Sequence, residues 1–200
     1  KNRKSDLLKT LVPLTKNMEA RGGGVMSLDL IDKCDILENY YQLHLRFKTG
    51  DAMGANFINS CLEHLAKSLI QFASKDQLSN ENNKPIDVLM SILSNYVPEC
   101  LVHAEVSCSI KEFNLDNNDL NIETYTKRMI QAVAIAKYEP YRAVTHNKGI
   151  MNGVDALVIA TGNDFRAIEA GVHAYAARSG QYRSLSDAYI KDDQFVMELS

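Results

Sequence analysis

What this chain lacks narrows its function first. No apolar run approaches the roughly 20 residues needed to span a bilayer, and no signal-peptide core is present, so neither a membrane partner nor secretion is expected. Basic charge is not in excess. A formal net charge of -3 offers no concentrated positive surface to nucleic acid or an anionic membrane, and the basic start Lys1-Asn2-Arg3-Lys4 is too short to reverse that. Cysteine is scarce: Cys34, Cys61, Cys100 and Cys108 show no CxxC spacing and lie in mostly apolar surroundings. They read as reduced core or boundary thiols of a cytoplasmic protein, and no metal site is expected. Internal repeats, low-complexity tracts, a Rossmann GxGxxG and a Walker loop are all missing. The chain begins with Lys and not Met, and it is read as a piece of a longer polypeptide.

What is present fits an ordinary globular protein of one large or two small domains, with 200 residues of which 46% are hydrophobic and 24% charged. Leu7, Leu8, Leu11, Leu14 and Met18 give residues 5–20 helical spacing, with a bend or break expected at Pro13. Gly22-Gly23-Gly24 then reads as a helix cap and turn, with a linker or a close approach to a ligand as alternatives. Val25–Ile31 and Tyr41–Phe47 alternate with period two, placing Met26, Leu28 and Leu30 of the first strand inward. Ile86–Leu93 and Leu101–Ser109 read as two further strands, and Gln77–Lys84 as an exposed loop. The fold class expected is α+β, an antiparallel sheet with helices on one face followed by a mainly helical part.

Asp51-Ala52-Met53-Gly54-Ala55-Asn56 runs into a helix that continues through Phe72. A glycine and small residues at a helix start leave N–H groups open to an anion; the plainer alternative is a capped helix with Asp51 as N-cap. Past the polar stretch Asn114–Asn121 a helix is expected over 123–138, with Tyr125, Met129, Ile130, Val133, Ala134 and Ile135 inward and Glu139-Pro140-Tyr141 as its stop. Helices are expected again over 150–160 and 165–177.

Between them lies Tyr141–Gly153, continued by Thr161-Gly162-Asn163-Asp164, where charged groups sit among glycines and small apolar residues. Burial and pairing of those charges are expected there, and with them chemistry. Lys148, Asn152 and Asp155 share a face if the segment is helical. Asp164 comes 16 residues after Lys148, which in one unbroken helix puts it about 160° round and some 24 Å along. If the two cooperate, the helix must break at Thr161-Gly162-Asn163. A lysine beside an aspartate can hold a proton or stabilise an oxyanion, and Arg142 offers a fork for a carboxylate. A structural ion-pair network is the alternative reading of the same residues.

The runs Pro140–Ala156 and Ala160–Ala170, joined by Asp51-Ala52-Met53-Gly54-Ala55-Asn56, resemble class II 3-hydroxy-3-methylglutaryl-coenzyme A (HMG-CoA) reductase, and the resemblance extends from Arg21 to Leu185. It implies a small ferredoxin-like cofactor domain over residues 1–95 and part of a larger, mainly helical substrate domain over 96–200. It implies interconversion of HMG-CoA with mevalonate and coenzyme A by two hydride transfers, in a cytoplasmic homodimer whose active site is shared. By the same resemblance Lys148 is the catalytic lysine, Asp164 its acidic partner and Asn95 the asparagine that orients them. Arg142 and Asn152 hold the hydroxymethylglutaryl group, while Asp51, Met53, Gly54 and Asn56 form the dinucleotide site.

Two family features have no match in this sequence: a glutamate upstream of the cofactor domain and a histidine on a C-terminal flap. His146 and His173 match neither and are read as structural, so the 200 residues are expected to bind better than they turn over. Thr15, Lys16, Asn17 and Arg21 stand where NADH-preferring relatives can carry an acid, which favours NADPH or dual use. The rival readings are another acyl-CoA oxidoreductase on the same scaffold, or a non-catalytic fragment that binds a CoA thioester or a dinucleotide.

Overall fold

Pro13 does not break the first helix. In the structure, a computed structural model describing residues 3–76, 85–112 and 121–200, α1 runs unbroken over Lys4–Glu19. It buries Leu7, Leu11, Thr15 and Met18, while Pro13 sits on the exposed side. Gly22 ends the helix at φ +80°, and the Gly23 N–H donates to the Met18 carbonyl at 3.0 Å. A Cβ at Gly23 would stand 2.5 Å from the Lys48 carbonyl oxygen, so of the three readings of the glycine run the cap holds, with backbone packed against it. The expected loop Gln77–Lys84 lies outside the described residues, as does all but Asn121 of the polar stretch from Asn114.

The chain divides into two compact units, residues 1–93 and 94–200. In the first, β1 (Gly24–Asp32) and β2 (Tyr41–Lys48) pair antiparallel, Leu28 opposite Leu45 and Leu30 opposite Leu43. Helix α2 (Ala55–Lys75) joins α1 over this ribbon, and Leu7, Leu11, Leu28, Cys61 and Leu65 form the core, flanked by Leu43, Leu45 and Phe47. Met26 is 67% exposed, not inward, because a bulge between Val25 and Ser27 shifts the alternation before Leu28. Leu30 lies outside as well, at 64%. The segment expected as a strand over 86–93 forms no ladder: Pro85 makes an isolated bridge, and Leu89, Met90 and Ile92 stay exposed. Its apolar alternation finds no neighbouring strand among the described residues, and a strand needs one for its backbone groups.

In the second unit, β3 (Ala104–Ser109), β4 (Ser186–Lys191) and β5 (Gln194–Leu199) form a sheet of order β3-β5-β4, antiparallel throughout. The fourth expected strand therefore starts at Ala104 and pairs with the chain's end, not with β1 or β2. Asp192 and Asp193, at φ +51° and +60°, make the tight turn of the β4–β5 hairpin. Helix α3 (Ile122–Tyr138) lays Val133 on Ala188 and Phe195, with Met129 and Ile130 beside them. Ile135, expected inward, is 55% exposed.

Glu139 ends α3 and begins α4 (Pro140–Ala160), ten residues before the expected start. The local chemistry explains this. A residue before proline is pushed to extended backbone, and Glu139 has φ -109° and ψ 110°; Pro140 then fits the first helical position, where no N–H is needed. The Glu139 carboxylate accepts from the N–H groups of Tyr141 (3.1 Å) and Arg142 (2.6 Å). The signal read as a stop is both a stop and a start. Helix α5 (Phe165–Ala176) follows, and the class is α+β as expected.

Candidate active site

Lys148 lies well inside α4, with Asn152 one turn later and Asp155 two turns later. The three occupy about 60° of the helix circumference, with Arg142 roughly 120° from Lys148. Lys148, Asn152 and Arg142 are all exposed, so the expected burial of this charged cluster does not hold. The stripe that α4 buries is instead Ala143, Asn147 and Met151, spaced by four. Lys148 directly follows Asn147 and Arg142 directly precedes Ala143, each about 100° round the helix from its buried neighbour, and so both point outward. Asp155 is intermediate: its Oδ1 is buried without a hydrogen-bond partner among the described residues.

The break required before Asp164 is present, and its mechanism is visible. Gly162 adopts φ +70°, its N–H donates to the Ile159 carbonyl at 3.0 Å, and the Asn163 N–H donates to that of Val158 at 2.9 Å. Those two bonds are a Schellman cap, which closes α4 and lets the chain turn. Asp164 then caps α5, its Oδ1 accepting from the N–H groups of Arg166 (3.1 Å) and Ala167 (3.2 Å), with the Arg166 guanidinium 3.7 Å away. Asn95 is exposed in an irregular segment, but its carbonyl packs closely on α5 at Gly171.

In the first unit, Asp51 does not cap α2. The N-cap is Gly54, at φ +72°, with no side-chain bond to the helix and no acidic residue in the first turn. Asp51, Met53 and Asn56 are exposed around it, and a Cβ at Gly54 would lie 3.2 Å from Thr49. The free N–H groups of that first turn suit a phosphate of a dinucleotide. Lys16 and Arg21 are exposed, while Glu19, whose Cγ would stand 2.9 Å from a Cβ at Gly24, accepts from the Thr15 hydroxyl at 2.6 Å. The sequence reading passed over Glu19.

The family model described as Hydroxymethylglutaryl-coenzyme A reductase matches residues 3–200. This chain belongs to the HMG-CoA reductase family. It is 34% identical over 196 residues to "Probable 3-hydroxy-3-methylglutaryl-coenzyme A reductase" of Borreliella burgdorferi, covering 97% of this chain and 42% of that protein. It is 36% identical over 165 residues to 3-hydroxy-3-methylglutaryl-coenzyme A reductase of Archaeoglobus fulgidus, covering 82% of this chain and 34% of that one. The solved reductase of Streptococcus pneumoniae superposes with a TM-score of 0.79 at 34% identity, covering 99% of this chain and 44% of its own. Another structure, titled as the class II reductase of that organism bound to NADPH in open conformations, gives the same TM-score and is half covered. The chain thus spans between about a third and a half of the length of these HMG-CoA reductases.

Within this reductase segment the sequence reading missed what Asn147 does. It is 0% exposed, its Nδ2 donates to the Arg183 carbonyl at 2.8 Å, and its Oδ1 accepts from the Leu185 N–H at 3.0 Å. The four-residue spacing with Ala143 and Met151 was the available signal. Beside it, His146 Nε2 meets the Ser186 hydroxyl at 2.7 Å, and burial, with the Arg142 charge adding, holds this imidazole below its ordinary pKa. His173 Nδ1 meets the Tyr182 hydroxyl at 2.8 Å. Among the described residues one group of possible metal ligands stands close together, His103, Glu105 and Glu198 on the β3–β5 side, within 4.8 Å of one another. Lys148, Asp164, Asn95, Arg142 and Asn152 are not among them. The strands β4 and β5 were also missed, although Asp192-Asp193 between two alternating runs is a hairpin signal.

Proposed function

We propose that this chain carries the dinucleotide-binding and substrate-binding core of an HMG-CoA reductase, an enzyme interconverting HMG-CoA with mevalonate and coenzyme A. The observation that carries the reading is the exposed α4 face with Lys148 and Asn152 one turn apart, in a chain of this family. An exposed ammonium inside a helix is held by its backbone yet free to meet a ligand. In this role Lys148 donates to the thioester carbonyl oxygen and stabilises the negative charge that grows there during reduction. Asp164, fixed by its cap bonds to α5, holds the proton network with Lys148, and the Asn95 amide orients the pair. Arg142 clamps the free carboxylate through its two-pronged guanidinium, and Asn152 hydrogen-bonds the hydroxymethylglutaryl group.

Residues 1–95 act as the small cofactor domain and 96–200 as the core of the large one, working as a cytoplasmic homodimer with a shared site. The uncapped start of α2 receives a phosphate of the cofactor, with Asp51, Met53 and Asn56 around it. Bound there, the nicotinamide supplies the hydride. Exposed Lys16 and Arg21 favour NADPH or dual use over strict NADH use. The 200 residues alone bind these molecules and turn them over slowly or not at all.

The test is product chemistry. The full-length protein that contains this segment, given HMG-CoA and either reduced nicotinamide cofactor, should release free coenzyme A and form mevalonate. Cofactor oxidation with no mevalonate, or neither, contradicts the proposal.

A further inference from the structure

Four consecutive residues, from Arg183 to Ser186 at the start of β4, are tied to three different helices of the second unit. The Arg183 N–H donates to the Ala176 carbonyl at the end of α5 (3.0 Å), and the Ser184 N–H to the Ala136 carbonyl of α3 (3.1 Å). The Leu185 N–H donates to Asn147 Oδ1 of α4 (3.0 Å), and the Ser186 hydroxyl meets His146 of α4 (2.7 Å). Asn147 answers with its own N–H, donated to the Arg183 carbonyl at 2.8 Å. One short strap therefore stitches three helices together, and on α4 its anchor is the residue immediately before Lys148.

Packing alone does not call for an amide at this position. Asn147 lies between Ala143 and Met151 on the buried stripe, where an apolar side chain would bury without needing partners. What the amide adds is direction. Its donor and acceptor are both used by the strap, so α4 cannot rotate or slide there without breaking two hydrogen bonds, one buried and one part-buried. Adjacent helical residues leave the axis about 100° apart, so fixing Asn147 fixes the angle at which Lys148 projects. The strap's tie to Ala176 holds α5, the helix that Asp164 caps.

We propose that Asn147 is a positioning residue: through the Arg183–Ser186 strap it sets the rotation of α4 against α5, and so the placement of Lys148 relative to Asp164. This rests on the reductase reading above. Misplacement of a reacting group by about 1 Å costs on the order of 10²-fold in rate, so the effect belongs in kcat and not in cofactor binding.

The experiment uses the full-length protein with Asn147→Leu, which keeps the branched shape and heavy-atom count, and Asn147→Asp, which keeps the acceptor for Leu185 but loses the donor to Arg183. Steady-state kinetics should give a kcat lowered about 10²-fold for Asn147→Leu and by less for Asn147→Asp, with KM for the reduced cofactor unchanged. Should the Asn147 variants fail to fold, Ser186→Ala breaks the neighbouring stitch to His146, together with the Ser184–Ser186 hydroxyl contact within the strap, and should lower kcat severalfold, again at unchanged cofactor KM. An active parent whose folded Asn147→Leu variant, or failing that Ser186→Ala, keeps the parental kcat overturns the positioning role alone. A parent that forms no mevalonate overturns the reductase reading itself.

Discussion

The carbonyl oxygen of Asn95 rests so closely on α5 that a Cβ added at Gly171 would meet it at 2.9 Å. Gly171 follows Asp164 by seven residues, two turns along the same side of the helix. One helix thus begins at Asp164 and seats the main chain of Asn95. Because the clashing atom is backbone, Gly171→Ala must move one of the two segments, at a cost of about 1–3 kcal/mol. Thermal unfolding checks this against Gly153→Ala, whose Cβ meets nothing within 4 Å and which should gain about 0.5–1 kcal/mol from helix propensity.

Asp164 has two separable jobs. Its cap bonds to Arg166 and Ala167 need a side-chain oxygen, which asparagine also offers; its proposed chemistry needs a carboxyl group. Asp164→Asn should therefore melt like the parent but lose reductase activity, whereas Asp164→Ala should also lose about 0.5–2 kcal/mol of stability. Equal activity in Asp164→Asn and the parent would remove the aspartate from the proton network.

His146 gives the fold a pH dependence of defined sign. Burial, and next the Arg142 charge, hold its folded pKa below the ordinary 6.5, so the unfolded chain takes up this proton first as pH falls. The contribution is intact above that value and is lost as pH drops from it toward the lower folded pKa. Denaturant unfolding at a series of pH values should show stability falling on the acid side, and His146→Gln should flatten that part of the curve.

How far the sequence carried this picture differs by region. The Schellman break before Asp164 was legible because Gly162 and the helical angle between Lys148 and Asp164 left no alternative if the two cooperate. The exposure of Lys148, Arg142 and Asn152 was not, since glycine-rich surroundings resemble a core in composition whichever way the helix is turned. Rotation of α4 is set by Ala143, Asn147 and Met151 against a strap some 36 residues later in the chain, a pairing that local periodicity does not report. The same limit explains Ile86–Leu93: alternation marks a segment able to be a strand, but a neighbour must exist to make it one. Leu28 and Met26 were separated by a bulge, whose extra residue leaves no mark in the alternation itself.

Cofactor choice is tested at α1. Lys16 is exposed near the glycine turn, and Glu19 is engaged by Thr15. If a basic side chain at this end of the helix accommodates a 2′-phosphate, Lys16→Glu should weaken NADPH binding by roughly tenfold and leave NADH binding equal or tighter. Fluorescence titration of both reduced cofactors reads this directly. An unchanged ratio would place the discrimination elsewhere.

The central claim is that the exposed lysine of α4 does the carbonyl chemistry of an HMG-CoA reductase. Its most direct test is mevalonate formation by the full-length protein and its Lys148→Met variant, with HMG-CoA affinity measured on both. The expected result is a kcat lower by at least about 10²–10³-fold in Lys148→Met, at nearly unchanged affinity and melting temperature. A Lys148→Met protein that still makes mevalonate at the parental rate would contradict the account.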